Sequence, residues 1–373
     1  MTWNWQLPDW PKFTYNSDRI SQKERQFLLG SGSAFAFLKN IDEEERNQFI
    51  IEILSLEGLT SSKIEGEILE RESLQSSIKQ HFGLRGAAVR YRADKELGMA
   101  ELLCNVYETF DKPLTHEMLW EWHSMLFKDR SLHSDIGKYR THVEPMQIVS
   151  GRLDSSPRVF FEAPPSEKVF HEMEMFIDWF NSTRSSEPIL GRAALAHVYF
   201  ESIHPFEDGN GRIGRILVEK VLSQGIGQPI LIAVSKFIEK QKKAYYTELG
   251  RCNRTLLVSH WVEFFSQTIL QAQDDSMRLL HFLIEKSKTL TTLSGQINSR
   301  QEKALLRMFA EGPDGFAGGL SAENYIAITK ASRATATRDL ADLVEKGVLV
   351  KTGELRHTRY WLNLKDKLWL IWA

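Results

Sequence analysis

The chain has 373 residues, with 47 Lys and Arg against 49 Asp and Glu for a formal charge of -2; it is too long for one ordinary core and lacks the polycationic character of a general nucleic-acid binder. Its two cysteines, Cys104 and Cys252, do not make a disulfide scaffold, no stretch approaches the length of a membrane span, and the opening MTWNWQLPDWPKF lacks the basic-then-apolar order of a signal peptide. The expectation is a mainly α, cytoplasmic protein of two or three domains with no membrane partner.

Residues 1 to about 30 carry Trp3, Trp5, Trp10, Pro8 and Pro11, which rule out a single regular helix and suit an extended arm whose aromatics pack on the body. Helical stretches follow, including SAFAFLKNIDEEERNQFIIEILSLEG, and end near SSKIEG at residues 61–66. Ser61 and Glu65 are four apart and share one helix face, which by itself reads as a solvated surface. This amino-terminal helical part is expected to run to residue 83.

From 84 to 275 amphipathic helical runs dominate, such as LTHEMLWEWHSMLF and SEKVFHEMEMFIDWFN. Between them VEPMQIV and RVFFEA are β-prone and separated by a polar turn, so a small hairpin is predicted within Glu144 to Ala163. RAALAHVYFESI then reads as a helix that stops before His204, because Pro205 disfavours helical backbone at the residue preceding it. Residues 276–298 read as a linking helix. The segment 299–373 gives a helix, two more helices and two short strands joined at Gly353 and Glu354, an order that resembles a winged helix, with ASRATATRDLADLVEKG as its recognition helix. Arg333, Arg338, Lys351, Arg356 and Arg359 could face the phosphates of DNA, but Asp339, Asp342 and Glu345 weaken that electrostatic case and favour a structural or protein-recruiting role.

The chemistry concentrates at residues 204–215, HPFEDGNGRIGR. Gly209 and Gly211 flank Asn210 in a turn whose N–H groups can converge on an anion, and Arg212 and Arg215 lie three apart at the start of the following helix, IGRILVEKVL, whose positive end faces the same point. His204 titrates near neutrality and suits a general base. Asp208 offers only oxygen ligands and suits Mg²⁺ on a polyphosphate better than zinc. The structural alternatives are that His204 caps a helix and that Asp208 pairs with Arg212 across a turn.

HPFEDGNGRIGR resembles, position by position, the active-site signature of the Fic (filamentation induced by cAMP) family. The resemblance implies a helical Fic core with a β-hairpin flap, an amino-terminal helical extension and transfer of AMP from ATP to a hydroxyl of a target protein. It implies His204 as base, Asp208 as the Mg²⁺ ligand on the α and β phosphates, and Asn210 and Arg212 on phosphate oxygens with help from the amides of Gly209 and Gly211. Arg215 would hold the γ phosphate and Phe206 would anchor the loop. The hairpin would hold the target segment by backbone pairing, presenting its Ser, Thr or Tyr to His204, and Tyr245 and Tyr246 lie where related chains place aromatics near the adenine. SSKIEG is similar to the inhibitory motif of some family members, which implies that Glu65, with Ser61 and Gly66 completing the motif, pairs with Arg215 and holds the enzyme low. In some relatives the same glutamate supports removal of AMP. A homodimer is also expected, with part of its contact in the amino-terminal helices. The competing reading is an ATP-sensing transcriptional regulator or adapter acting through the carboxy-terminal segment.

Overall fold

The computed structural model describes residues 2–84, 93–130, 135–149 and 159–364. The chain divides into two compact units, residues 1–37 with 50–274 and residues 38–49 with 275–373. Among the described residues no helix is long and apolar enough to cross a membrane.

The first unit is built from helices around one core. The amino-terminal arm forms only short 3-10 turns and lies against the body through its aromatics. Trp3 meets Phe161 edge-on at 5.4 Å and Trp10 meets Tyr199 at 5.3 Å, as the spacing of proline and tryptophan led one to expect. Asn4 is buried and donates from Nδ2 to Ser202 Oγ at 2.8 Å. Helices α1 (Ser21–Asn40), α2 (Glu43–Ile64), α3 (Arg71–His81) and α4 (Asp94–Thr109) follow, then α5 (His116–Leu126), whose first turn is capped by the Thr115 hydroxyl accepting from the Met118 amide. One core spans the boundary expected near residue 83: Leu54 of α2 and Leu74 and Ile78 of α3 are buried in the same cluster as Leu102 of α4 and the residues further along the chain. The apolar stripes of α2 and α3 are covered only by joining that core, since two such short helices cannot bury enough surface by themselves.

The hairpin consists of β1 (Gln147–Val149) and β2 (Val159–Glu162), antiparallel with Gln147 opposite Glu162 and a register shift between Ile148 and Val149. Residues 150–158 of the expected flap lie outside the described residues. Val159 and Phe160 are exposed, while Phe161 is buried edge-on against Trp3.

Helix α6 (Ser166–Ser182) leads to the central pair, α7 (Ile189–Ile203) and α8 (Asn210–Ile226), which pack side by side. Both are buried along nearly their whole length, because small and apolar residues such as Ala193, Ala194, Ala196 and Phe200, or Ile213, Leu217 and Val221, recur on every side. Helices α9 (Val234–Lys240) and α10 (Lys242–Cys252) complete the wall. The expected linking helix is the second half of α11 (Ser259–Leu293), a continuous 35-residue helix. No proline interrupts it, so the change of role near residue 275 is invisible in its backbone.

The second unit contains α12 (Ser299–Phe309), α13 (Ala322–Thr329), α14 (Arg333–Glu345) and the antiparallel strands β3 (Leu349–Thr352) and β4 (Arg359–Leu362). Asn298, Ser321 and Ser332 cap the three helices, and Leu305, Tyr325, Leu340 and Leu343 fill the space between them. Leu320 pairs with Tyr360, extending the hairpin by one bridge.

Candidate active site

Helix α7 ends as the sequence requires. Ile203 is its last residue, and His204 takes a left-handed conformation, φ 51° and ψ 59°, with its N–H donating to the Phe200 carbonyl at 2.9 Å. Such backbone is costly for a residue with a Cβ and persists only where the surroundings hold it. Arg140 supplies much of that hold. Its buried guanidinium donates from Nε to the His204 carbonyl at 2.8 Å and from Nη2 to the carbonyls of Ile203 at 3.3 Å and Pro164 at 2.5 Å; Nη1 reaches Ser166 Oγ at 2.9 Å. One side chain thereby ties the end of α7 to the base of the hairpin.

The His204 imidazole is largely buried, and its Nδ1 lies 3.6 Å from Glu201 Oε2. Burial, reinforced by the positive charge of Arg140, lowers its pKa to about 4, while the Glu201 backbone carbonyl and the Glu65 and Asp208 carboxylates pull the other way. Burial and the neighbouring Glu65 charge raise Glu201 to about 8, with Arg215 opposing. At neutral pH the imidazole is therefore uncharged, the form that accepts a proton.

The loop between α7 and α8 is internally braced. Phe206 is fully buried and stacks on His123 at 4.2 Å, a burial worth about 2–3 kcal/mol. Gly137 N–H donates to His123 Nδ1 at 3.0 Å, so the ring hydrogen sits on Nε2 and points to the Asp208 carbonyl at 3.2 Å. Gly209 has φ +82°, and a Cβ there would press on Phe127 and Leu126, so the turn requires glycine twice over. Asn210, expected on a phosphate oxygen, is held by its own loop. Its Oδ1 accepts from Phe206 N–H at 2.9 Å and its Nδ2 donates to the Phe206 carbonyl at 2.8 Å, so the amide closes the loop as an internal clamp. Gly209 N–H, expected at the anion, donates to Asp208 Oδ1 at 2.6 Å.

Both structural alternatives from the sequence are also realised: His204 caps α7, and Asp208 Oδ1 lies 3.7 Å from Arg212 Nη2. The Asp208 side chain is 59% exposed, and no group of three or more His, Cys, Asp or Glu among the described residues makes a protein-only metal cage. A single accessible carboxylate of this kind fits Mg²⁺, which takes its other ligands from water and phosphate oxygens.

The two arginines of α8 are already matched to carboxylates. Arg215 donates from Nε to Ser61 Oγ at 2.8 Å and from Nη2 to the Ser61 carbonyl at 2.9 Å and Glu65 Oε1 at 2.8 Å. Burial works against its charge, but Glu65 and the other nearby anions hold its pKa above the ordinary arginine value. Glu65 lies one residue beyond the end of α2, and Gly66 turns the chain at φ +85°. A Cβ on Gly211 would collide with the Glu65 carboxylate, which therefore sits directly over the first turn of α8, where helix amides favour an anion. Arg212 pairs with Glu67, Nη1 to Oε2 at 2.5 Å.

Tyr245 is a correction to the expected aromatic wall. It is a core residue, 2% exposed, with its hydroxyl 2.6 Å from His197 Nε2, because the helix face that carries it is covered by α7 and α11. Tyr246, packed edge-on against it at 5.0 Å, is the exposed ring of the two. Sequence reasoning missed Glu67, Arg140, His123 and Glu201. Glu67, two residues past Glu65, and Glu201, three residues before His204, carried a local signal; Arg140 and His123 reach the loop through hydrogen bonds from distant segments.

Residues 113–222 match the Fic/DOC family, a span that includes the whole loop and both of its helices. That span is similar to the Fic/DOC family over less than a third of the chain. Residues 3–84, with Ser61 and Glu65 among them, match a domain of unknown function, DUF4172. Among curated proteins the chain is similar to the protein adenylyltransferase fic-1 of Caenorhabditis elegans, 25% identical over 193 residues, which are 50% of this chain and 35% of that protein. It is also similar to the protein adenylyltransferase Fic of Drosophila willistoni, 40% identical over 83 residues, 22% of this chain and 16% of that protein. The alignments thus span about a third or less of these relatives' length. Among solved structures, a Fic family protein from Desulfovibrio desulfuricans G20 shares the fold at a TM-score of 0.52 and 21% identity, covering 96% of this chain and 99% of that one.

Proposed function

We propose that this chain is a Mg²⁺-dependent protein adenylyltransferase that moves AMP from ATP to a hydroxyl of a target protein and is held inactive by Glu65. The observation that carries the reading is the convergence of a neutral His204, an accessible Asp208 and two buried arginines on the first turn of α8, with the Glu65 carboxylate lying where an anion belongs.

In this reading Arg212 and Arg215 bind the phosphates, with the free amides at the start of α8. Asp208 would hold Mg²⁺, which would supply positive charge to offset that of the phosphates. The exposed edge of the hairpin aligns the target segment so that its hydroxyl faces His204. The hydroxyl oxygen bonds to the α phosphorus and the bond from that phosphorus to the α–β bridging oxygen breaks. Pyrophosphate leaves with that electron pair, and the hydroxyl proton passes to the outward nitrogen of His204. The negative charge of the bound triphosphate favours the imidazolium that forms. Arg140 and the Asn210 clamp keep the imidazole and the loop in register. Glu65 blocks the sequence by neutralising Arg215, and water delivered beside the same carboxylate would permit the reverse release of AMP.

The test is incubation with Mg²⁺ and ATP labelled at the α phosphate. The Glu65→Gly chain is expected to label itself or a lysate protein more strongly than the native chain, and Glu65→Gly/His204→Ala is expected not to label. Binding of ATP by Glu65→Gly without any transfer, or label arriving from the γ phosphate, would overturn the reading.

The carboxy-terminal unit supports a second role, recruitment of a partner or of DNA through a winged-helix-like domain. Of the acids that oppose DNA, Asp339 is buried against Arg300 and Asp342 is bonded to Gln301 and Lys346, while Arg333 is well exposed. The side chain of Arg356 lies outside the described residues. Duplex binding that weakens steeply with salt and is lost in Arg333→Ala/Arg338→Ala would support DNA; no binding at low salt leaves protein recruitment.

A further inference from the structure

The turn that brings Glu65 to the site carries a second acid to a second arginine. Glu65 N–H and Glu67 N–H both donate to the Ser62 carbonyl, each at 3.0 Å, with the left-handed Gly66 between them. This reversal sends the two side chains to α8 three residues apart, Glu65 to Arg215 and Glu67 to Arg212. The Arg212 side chain is 5% exposed, lies over the Phe127 ring at 5.0 Å and leaves its buried Nε without a hydrogen-bond partner. Glu67, 24% exposed, is the more accessible member of the pair. Arg212 also faces Asp208, so it looks onto the phosphates nearest the metal ligand, whereas Arg215 lies one turn further along α8.

We infer that Glu67 is a second gate on the nucleotide site, occupying Arg212 as Glu65 occupies Arg215, so that the inner phosphates and the γ phosphate are guarded by different carboxylates. The inference rests on the transferase reading for which phosphate each arginine faces. Of the two carboxylates near the buried Arg212, Glu67 is the one within hydrogen-bond distance; a ligand anion has to take its place, and a partly exposed glutamate can swing into water when displaced. Removal of Glu65 alone therefore leaves the inner subsite occupied. A nucleoside diphosphate, which has no γ phosphate, is excluded chiefly by Glu67, whereas a triphosphate must displace both acids.

Calorimetric titration of the full chain with Mg²⁺–ADP and with the Mg²⁺ complex of α,β-methylene ATP tests this without requiring transfer. Glu67→Gln is expected to tighten ADP binding about tenfold or more, Glu65→Gly to tighten the triphosphate analogue but ADP far less, and the double variant to bind the analogue most tightly. ADP affinity in Glu67→Gln within about twofold of native, in a chain that melts at the native temperature, would overturn the gate. Glu67→Asp provides a second check, because a shorter acid keeps the charge but loses reach and should also tighten ADP binding. If Glu65→Gly never transfers AMP while the ADP results hold, the transferase reading falls and the gate stands; the opposite pattern removes the gate alone.

Discussion

Two arginine–carboxylate pairs, one in each unit, are built in opposite senses. In the pair of Arg215 with Glu65 the cation is the buried member, its side chain 2% exposed against 29% for the acid. In the pair of Arg300 with Asp339 the acid is buried at 8% and the arginine is 40% exposed. Asp339 accepts from Arg300 Nε and Nη2, from the Tyr325 hydroxyl and from Asn298 Nδ2, all within 3.1 Å, and so ties the caps and faces of three helices together. Glu65 accepts from Arg215 and reaches no comparable set of donors among the described residues. The member that faces water is the one that can be exchanged. The first pair leaves a buried cation ready for another anion, while the second surrounds its acid and acts as a staple.

The largest effect expected from this contrast is on chemistry. In the Glu65→Gly background, His204→Ala should lower α-phosphate labelling by about 10²–10⁴-fold, measured as initial rates, because the site keeps its anion-binding groups but loses its base. Glu65→Gly itself should raise labelling by about tenfold or more over the native chain, corresponding to about 1.4 kcal/mol or more of released competition. If Glu65→Gly and the native chain label equally, Glu65 is as structural as Asp339 and the contrast fails.

The effect on folding should run the other way. Asp339→Ala strips Tyr325, Asn298 and Arg300 of one shared acceptor and is expected to lower the melting temperature of the carboxy-terminal unit by several degrees, whereas Glu65→Gln should change thermal denaturation much less. A larger loss for Glu65→Gln would show that its carboxylate is a staple as well. The smallest and sharpest effect concerns pH. Burial and Arg140 hold His204 near a pKa of about 4, below its ordinary value, so the uncharged base is retained down to mildly acid pH. Labelling by Glu65→Gly should therefore be level from about pH 8 to about pH 6 and fall only as the imidazole protonates below that. A half-maximal rate at or above the ordinary histidine pKa would show that the imidazole is not held neutral in the working site.

Much of the site was legible because its chemistry lies in twelve consecutive residues. The stop before Pro205, the glycine-bearing turn and the two arginines three apart on a new helix are set by local backbone preference, and each appears where the sequence placed it. The arm of tryptophans and the hairpin were readable for the same reason. The bonds of Asn210 to Phe206 were not legible, because a short polar side chain in a turn can serve a ligand or its own backbone and only the fold of the loop shows the second use. Tyr245 and Tyr246 are adjacent and chemically identical, so nothing in the sequence could say which would be buried.

By itself the sequence determined the loop at residues 204–215, its charge and its helical frame, since those depend on dihedral preferences and spacings within one or two turns. The resemblance of SSKIEG pointed to Glu65 on Arg215, but only the tertiary structure joins them across 150 residues, and it alone decided that Glu67 meets Arg212 and that Arg140 holds the carbonyl of His204. Those contacts are fixed by how the apolar faces of α2, α7 and α8 fill a common core, and packing of that kind leaves no short-range mark on the order of residues.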